Sequence, residues 1–173
     1  MPGAVFLEGE RLTLRTVEPD DYGFVARHRN DPDARHAGLQ GLRSPLHEHD
    51  VGTIVTEHED YHLFLACRDD TPVGSSFLLD IDFAGRKAEL GYWIAPEERG
   101  KGYATEAAEL GLVHGFDELG LHKIWARTVA ENEASQRVLE KLGFRQEGVL
   151  REHYYGFQDY VDECRFGLLA SER

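Results

Sequence analysis

Two cysteines are too few to build a disulfide framework. Cys67 and Cys164 each sit in an apolar alternating run, where a buried free thiol is the usual arrangement. Lysine is short as well: Lys87, Lys101, Lys123 and Lys141 are the only four among 19 basic residues, set against 32 acidic ones. The resulting formal charge of −13 excludes general nucleic-acid binding, which needs basic surface to neutralise phosphates. An acidic, lysine-poor, arginine-rich surface fits a cytoplasm of high ionic strength, where salt screens self-repulsion, and so predicts a halophilic setting. Long apolar runs are missing too. The opening "MPGAVFLEGERLTL" meets Glu8 and Glu10 before any stretch long enough for a signal peptide or a membrane span, so a cytoplasmic location is expected.

What is present is globular. A chain of 173 residues with 41% hydrophobic content and no low-complexity tract is expected to form one domain, residues 1–173, with a sizeable core. "RLTLRTV" alternates as a strand, and "EPDDYGFVARHRN" begins with proline and acidic residues as a helix does. Residues 30–45 are loop-rich, and "LHEHDVGTIVTEHED" suits a second helix. "YHLFLAC", "PVGSSFLLDID" and "KAELGYWIA" follow as strands separated by turns. A helix is predicted from Tyr103 to Leu119, with Ala104, Ala108, Leu112 and Phe116 as its apolar stripe and Gly111 and Gly115 allowing close approach to a sheet. "HKIWARTV" is a strand and "NEASQRVLEKLG" a helix, with Asn132 suited to its N-cap and Gly143 to its C′ position. Two more strands lie around Phe144 to Leu150 and Tyr160 to Leu169. The order implies a mixed α/β domain with a parallel pairing across the central helix.

"APEERGKGYA" stands between a strand and that helix. Such a turn gathers backbone N–H groups and the positive end of a helix dipole at one spot, which makes it an anion site. Gly100 and Gly102 remove blocking Cβ atoms, and Arg99 and Lys101 add charge. The P-loop pattern is absent, because Lys101 precedes Gly102 and no glycine stands at the required upstream position. The dinucleotide fingerprint fails at Thr105, where glycine or alanine is required. The pattern that fits is R-x-x-G-x-A, at Arg99, Gly102 and Ala104. This resembles the acyl-coenzyme A pyrophosphate loop of the GNAT acetyltransferase superfamily. "ELGYWI", "RGKGYATEA", "NEASQRVLEKLGF" and "EGVLREHYYGFQDYVDECRFGLL" resemble, in that order, its RimJ/RimL-type branch, in which the acceptor is commonly a protein N-terminal amine.

The resemblance implies a GNAT fold, a twisted mixed sheet of about six to seven strands flanked by about four helices. It implies acetyl-coenzyme A as co-substrate and no metal. The strand before the loop would splay from its parallel neighbour, so that backbone groups of Tyr92, Trp93 and Ile94 meet the pantetheine arm, with an N–H near Ile94 steadying the oxyanion. Arg99, Gly100, Lys101, Gly102, Tyr103, Ala104 and Thr105 would hold the pyrophosphate. Asn132 would hydrogen-bond pantetheine, or serve only as an N-cap, or do both. Ser135 would donate a proton to the leaving sulfur, unless it is merely an exposed first-turn serine. Glu89 is the candidate to take the amine's proton, with a salt-bridged carboxylate as its alternative role. Tyr154, Tyr155 and Tyr160 are candidates to line the acceptor side, and Asp80, Asp82 and Glu89 could form an acidic wall there.

"HEDYH", His58 to His62, also satisfies the zinc-protease pattern H-E-x-x-H. That pattern requires one helix through both histidines, whereas the second already opens an alternating strand, so no zinc enzyme is expected; His47 and His49 read as exposed. The sequence thus predicts an N-acetyltransferase, working by direct amine attack in a ternary complex. The expected acceptor is a protein N-terminus, with a polyamine or aminoglycoside as the alternative and a non-catalytic acyl-coenzyme A sensor as a third possibility. A monomer or homodimer is expected, with no nucleic-acid or membrane partner.

Overall fold

The structure, a computed structural model, describes residues 2–32, 45–156 and 159–173. Among the described residues, eight strands form one sheet: β1 (Val5–Glu8), β2 (Thr13–Arg15), β3 (His62–Arg68), β4 (Thr71–Asp82), β5 (Lys87–Ile94), β6 (Lys123–Val129), β7 (Arg145–Gly156) and β8 (Asp159–Leu169). Among the described residues there are four α-helices: α1 (Tyr22–Arg29), α2 (Glu48–Glu57), α3 (Tyr103–Leu112) and α4 (Glu133–Lys141). The sheet order is β1-β2-β3-β4-β5-β6-β8-β7, with every neighbouring pair antiparallel except β5 and β6.

This is the expected mixed architecture with one strand more. The extra strand is β1, whose four residues are too few to show alternation. The predicted helix to Leu119 keeps its extent but changes period, since Val113–Glu118 is a π-helical turn. The predicted strand ending near Leu150 continues to Gly156 through irregularities between Gln146 and Gly148 and between Leu150 and Tyr154, which interrupt the period-two signal.

Helices cover both faces of the sheet. α3 and α4 pack on one face over Leu78, Ala88, Leu90, Ile124 and Phe166, with Leu139 of α4 only 1% exposed. α1 and α2 pack on the other over Leu65 and Cys67, through Val25, Ala26 and Val51. The glycine stripe of α3 is needed for this approach: a Cβ at Gly111 would lie 2.7 Å from Ser76 Oγ and 2.8 Å from Leu90 Cδ1. Cys67 and Cys164 are both buried free thiols.

Candidate active site

β5 and β6 pair only at Lys87, Ala88 and Glu89 against Lys123, Ile124 and Trp125. Beyond Glu89 the two strands part. From Leu90 to Ile94, β5 keeps its β4 partner on one edge and, among the described residues, has no strand on the other. A cavity of about 530 Å³ fills the opening, lined by this stretch of β5, the glycine turn, the start of α3, Ala126 to Thr128 of β6 and the first turn of α4.

At one end of the cavity the chain turns through Gly100 (φ 76°) and Gly102 (φ 81°) into α3. Gly102 is the N-cap of α3 and supplies no side-chain hydrogen bond, so the first-turn N–H groups keep their donor capacity for a ligand. Arg99, Gly100, Gly102, Tyr103, Ala104 and Thr105 all line the cavity, and Arg99 Nε donates to Ile94 O at 3.2 Å. Lys101 does not line it: its ammonium turns back to Glu98 Oε2 at 2.7 Å. The turn is held from outside by Arg11, which sequence reasoning missed. Arg11 donates from Nη1 to Lys101 O (2.7 Å) and from Nε to Glu106 Oε2 (2.9 Å), fastening the start of the chain to the loop and to α3. No local motif marks such a contact, because its partners are about ninety residues away.

Alternation along β5 sends side chains to opposite sides of the sheet. Leu90, Tyr92 and Ile94 point towards α3 and α4, whereas Glu89, Gly91 and Trp93 point to the other face. On the helix side, the Tyr92 hydroxyl lies 2.9 Å from Ser135 Oγ and 3.2 Å from Ser135 O. Burial pushes the Tyr92 phenol up to about 12, so it stays protonated and able to donate throughout the neutral range. Asn132 is an N-cap: its Oδ1 accepts from Ser135 N at 3.1 Å, and it also lines the cavity. The tyrosine was expected to contribute backbone groups only. Its side-chain role follows from packing between β5 and α4, for which the sequence holds no spacing signal.

On the opposite side, Glu89 is 6% exposed. Its Oε1 accepts from Arg127 Nε at 2.8 Å, and its Oε2 is buried without a hydrogen-bond partner among the described residues. Burial raises its proton affinity above the ordinary carboxylate range, while Arg127 pulls it back. The salt-bridged alternative for Glu89 is therefore realised, and the same residue lines the cavity. Trp93 packs against His28 (4.4 Å between ring centres), and its Nε1 is buried with no hydrogen-bond partner among the described residues.

The predicted acidic wall does not form as a row. Asp82 turns to the β4–β5 connection, accepting from Gly85 N at 2.7 Å, and Asp80 is exposed at a break in the β4 register with φ 51°. Of the tail tyrosines only Tyr154 joins the site, accepting from Arg127 Nη1 at 3.1 Å. Tyr155 and Tyr160 pair across the hairpin, 66% and 62% exposed. The loop-rich segment 30–45 lies mostly at positions 33–44, outside the described residues. His58 and His62 fall on different elements, because α2 stops at Glu57 and His62 opens β3. His62 Nδ1 instead lies 2.8 Å from His114 Nε2, and no group of three or more metal-ligating side chains gathers among the described residues.

These features suit a long anionic thioester. Two glycines in left-handed conformations leave backbone room, free helix donors face the turn, Arg99 adds charge, and an unpaired strand edge with an unpartnered indole N–H runs on from it. Comparison with known proteins points the same way. The family described as acetyltransferase (GNAT) domain matches residues 11–145. Spermidine N(1)-acetyltransferase of Escherichia coli K12 is 38% identical over 164 residues, 93% of this chain and 87% of its own. The putative ribosomal N-acetyltransferase YdaF of Bacillus subtilis is 36% identical over 104 residues, 60% of this chain and 57% of its own. The crystal structure of spermidine N-acetyltransferase from Vibrio cholerae in complex with CoA and spermine superposes with a TM-score of 0.86 at 27% identity, covering 95% of this chain and 98% of that one. With a splayed β5–β6 pair, a glycine turn capping α3 and relatives of one chemistry along nearly its whole length, the chain belongs to the GNAT acetyltransferase family and is an acetyl-coenzyme A-dependent acyltransferase.

Proposed function

We propose that the protein, acting as one catalytic domain in the cytoplasm, acetylates a primary amine of a small polycation of the polyamine class. The observation that carries the reaction is the placement of Glu89 and the Tyr92–Ser135 pair on opposite faces of β5, both lining one cavity. Amine and thioester can then approach from different sides and meet where the sheet opens. Gly100, Gly102 and Arg99, with the first-turn donors of Tyr103, Ala104 and Thr105, hold the pyrophosphate; Lys101 contributes its backbone. The free edge of β5 from Tyr92 to Ile94, with Asn132, takes the pantetheine arm.

When bound, the co-substrate supplies an activated acetyl carbonyl. The amine nitrogen forms the new bond to that carbon and yields its proton to Glu89 Oε2, the carboxylate oxygen left without a partner. The N–H near Ile94 supports the oxygen as it gains charge. The carbon–sulfur bond then breaks, and Ser135 Oγ, backed by the protonated Tyr92 hydroxyl, gives a proton to the departing sulfur.

The small-amine reading is favoured over a protein N-terminus by the likeness to two spermidine acetyltransferases across nearly the full chain. The charge of −13 also draws cations to the surface. The likeness to YdaF, over a smaller share of each chain, is the observation behind the second reading, a ribosomal-protein amine. Thiol release from acetyl-coenzyme A decides between them, measured with spermidine, spermine, an aminoglycoside panel and peptides varied at residue one. Turnover with the polyamines is expected. Turnover with peptides alone would overturn the substrate class.

A further inference from the structure

Glu89 is the inner end of a chain of charges on the face of the sheet opposite α3 and α4. Its Oε1 is held by Arg127 Nε at 2.8 Å, and Arg127 Nη1 donates to the Tyr154 hydroxyl at 3.1 Å. Glu163 stands on β8 two residues from Arg165, the position paired with Arg127, on the same face of the sheet and with no solvent exposure at all. Glu163 Oε1 accepts from Arg165 Nε at 2.5 Å, and its Oε2, which accepts no hydrogen bond among the described residues, lies 3.9 Å from Nε2 of His153 on β7. Both guanidinium groups lie against the Trp125 ring, at 5.8 Å for Arg127 and 5.7 Å for Arg165. Carboxylate and guanidinium thus alternate along four residues on β5, β6 and β8, with a phenol from β7 bonded to Arg127.

A guanidinium shared by two buried carboxylates cannot give its full charge to both. Its hold on Glu89 fixes one oxygen and leaves Oε2 as the proton-accepting one. Glu163 acts in the opposite sense, attracting the Arg127 guanidinium and repelling negative charge on Glu89. We propose that Arg127 is a positioning residue for the proton-accepting carboxylate, and that Glu163 sets how much of the guanidinium's charge Glu89 receives. This rests on the reading of Glu89 as the group that takes the amine's proton.

The other charged and titratable groups facing Glu89 are Asp80 of β4, which repels it from an exposed position, Arg29 of α1, which lines the same cavity, and Tyr61 before β3, whose phenol senses the Glu89 charge. None of these bonds its carboxylate in place as Arg127 does.

Two opposed variants test the inference on the full chain. In R127Q the carboxylate loses its cation and binds its proton more tightly, so the acid limb of kcat against pH, read with acetyl-coenzyme A and spermidine, moves up by about one unit. In E163Q the competing charge is gone, and the limb moves down by about half a unit. R127K keeps the charge but not the fork, so kcat falls while the limb stays within about half a unit of wild type. A carbon-13 titration of labelled glutamate carboxyls, assigned with E89Q, reads the same shifts without turnover. Opposite shifts in R127Q and E163Q establish the relationship, whereas shifts of one sign, or none, overturn it. An E89Q enzyme that keeps wild-type kcat and its acid limb overturns the underlying reading instead. In that case the carboxyl titration still reports whether Arg127 and Glu163 govern Glu89.

Discussion

Replacing Gly102 with valine perturbs the anion site through the backbone. At φ 81° the residue is in the left-handed region, where a β-branched side chain is a steric outlier. Forcing it there costs about 1–3 kcal/mol. The new Cβ would also lie 3.1 Å from Arg11 Nη2, and Arg11 has little freedom to retreat, being tied to Lys101 O at 2.7 Å and to Glu106 at 2.9 Å. The loop relieves the strain by leaving the left-handed conformation, which turns the first-turn N–H groups of α3 away from the pyrophosphate. If binding must restore that conformation, the affinity for acetyl-coenzyme A falls by the same 1–3 kcal/mol, about fivefold to 150-fold in Kd. Titration calorimetry measures the loss, and thermal denaturation shows that the variant is folded. Gly102→Asn is the control, since asparagine tolerates this region and should lose no more than about threefold. A folded Gly102→Val protein that binds acetyl-coenzyme A as tightly as wild type would refute the loop assignment.

Ser135→Ala should lower kcat by about a hundredfold with little change in the affinity for acetyl-coenzyme A, read by steady-state thiol release and calorimetry; wild-type kcat would remove Ser135 from the reaction. Leu139→Ala, which empties a position 1% exposed between α4 and the sheet, should cost about 2–5 kcal/mol of stability in urea denaturation. A loss under about 1 kcal/mol would mean that α4 is not fastened to the sheet there.

The glycine turn, the strand before it and the α4 N-terminus were legible in the sequence because each is local. Arg99, Gly102 and Ala104 lie within six residues, and Asn132 caps the helix that carries Ser135 three positions on. Groups that act across the sheet were not legible. Arg11 reaches the turn from the other end of the chain, and Arg127 meets Glu89, with Glu163 near it on β8, only after β5, β6 and β8 are in register. A signal did exist for those two: "WART" sets Arg127 next to Ala126, and "DECR" sets Glu163 and Arg165 on either side of Cys164, in strands that are otherwise largely apolar. A charge at such a position is costly unless a neighbouring strand supplies its partner.

The acidic wall failed for a reason that can itself be tested. Strict alternation puts Asp80 and Asp82 on one face and Ile81 on the other. In the structure β4 and β5 pair regularly from Gly74 with Ile94 to Leu79 with Glu89, and then Asp82 pairs with Lys87, so that one extra residue is taken up on β4. The bulge expels Asp80, keeps Ile81 in the core beside Leu78, and lets Asp82 reach the turn. Deleting Asp80 would restore a regular ladder with the same pairs on either side and the same inward residues. It would also remove a non-glycine residue at φ 51°, which costs about 1 kcal/mol or more. The melting temperature of the deletion protein should therefore equal or exceed that of wild type. With one repelling charge gone from beside Glu89, the acid limb of kcat should move to lower pH. An unfolded deletion protein would show that the bulge is required for the β4–β5 register. A folded one with an unmoved limb would show that Asp80 is too well screened to act on Glu89, leaving Arg127 and Glu163 as the charges that govern it.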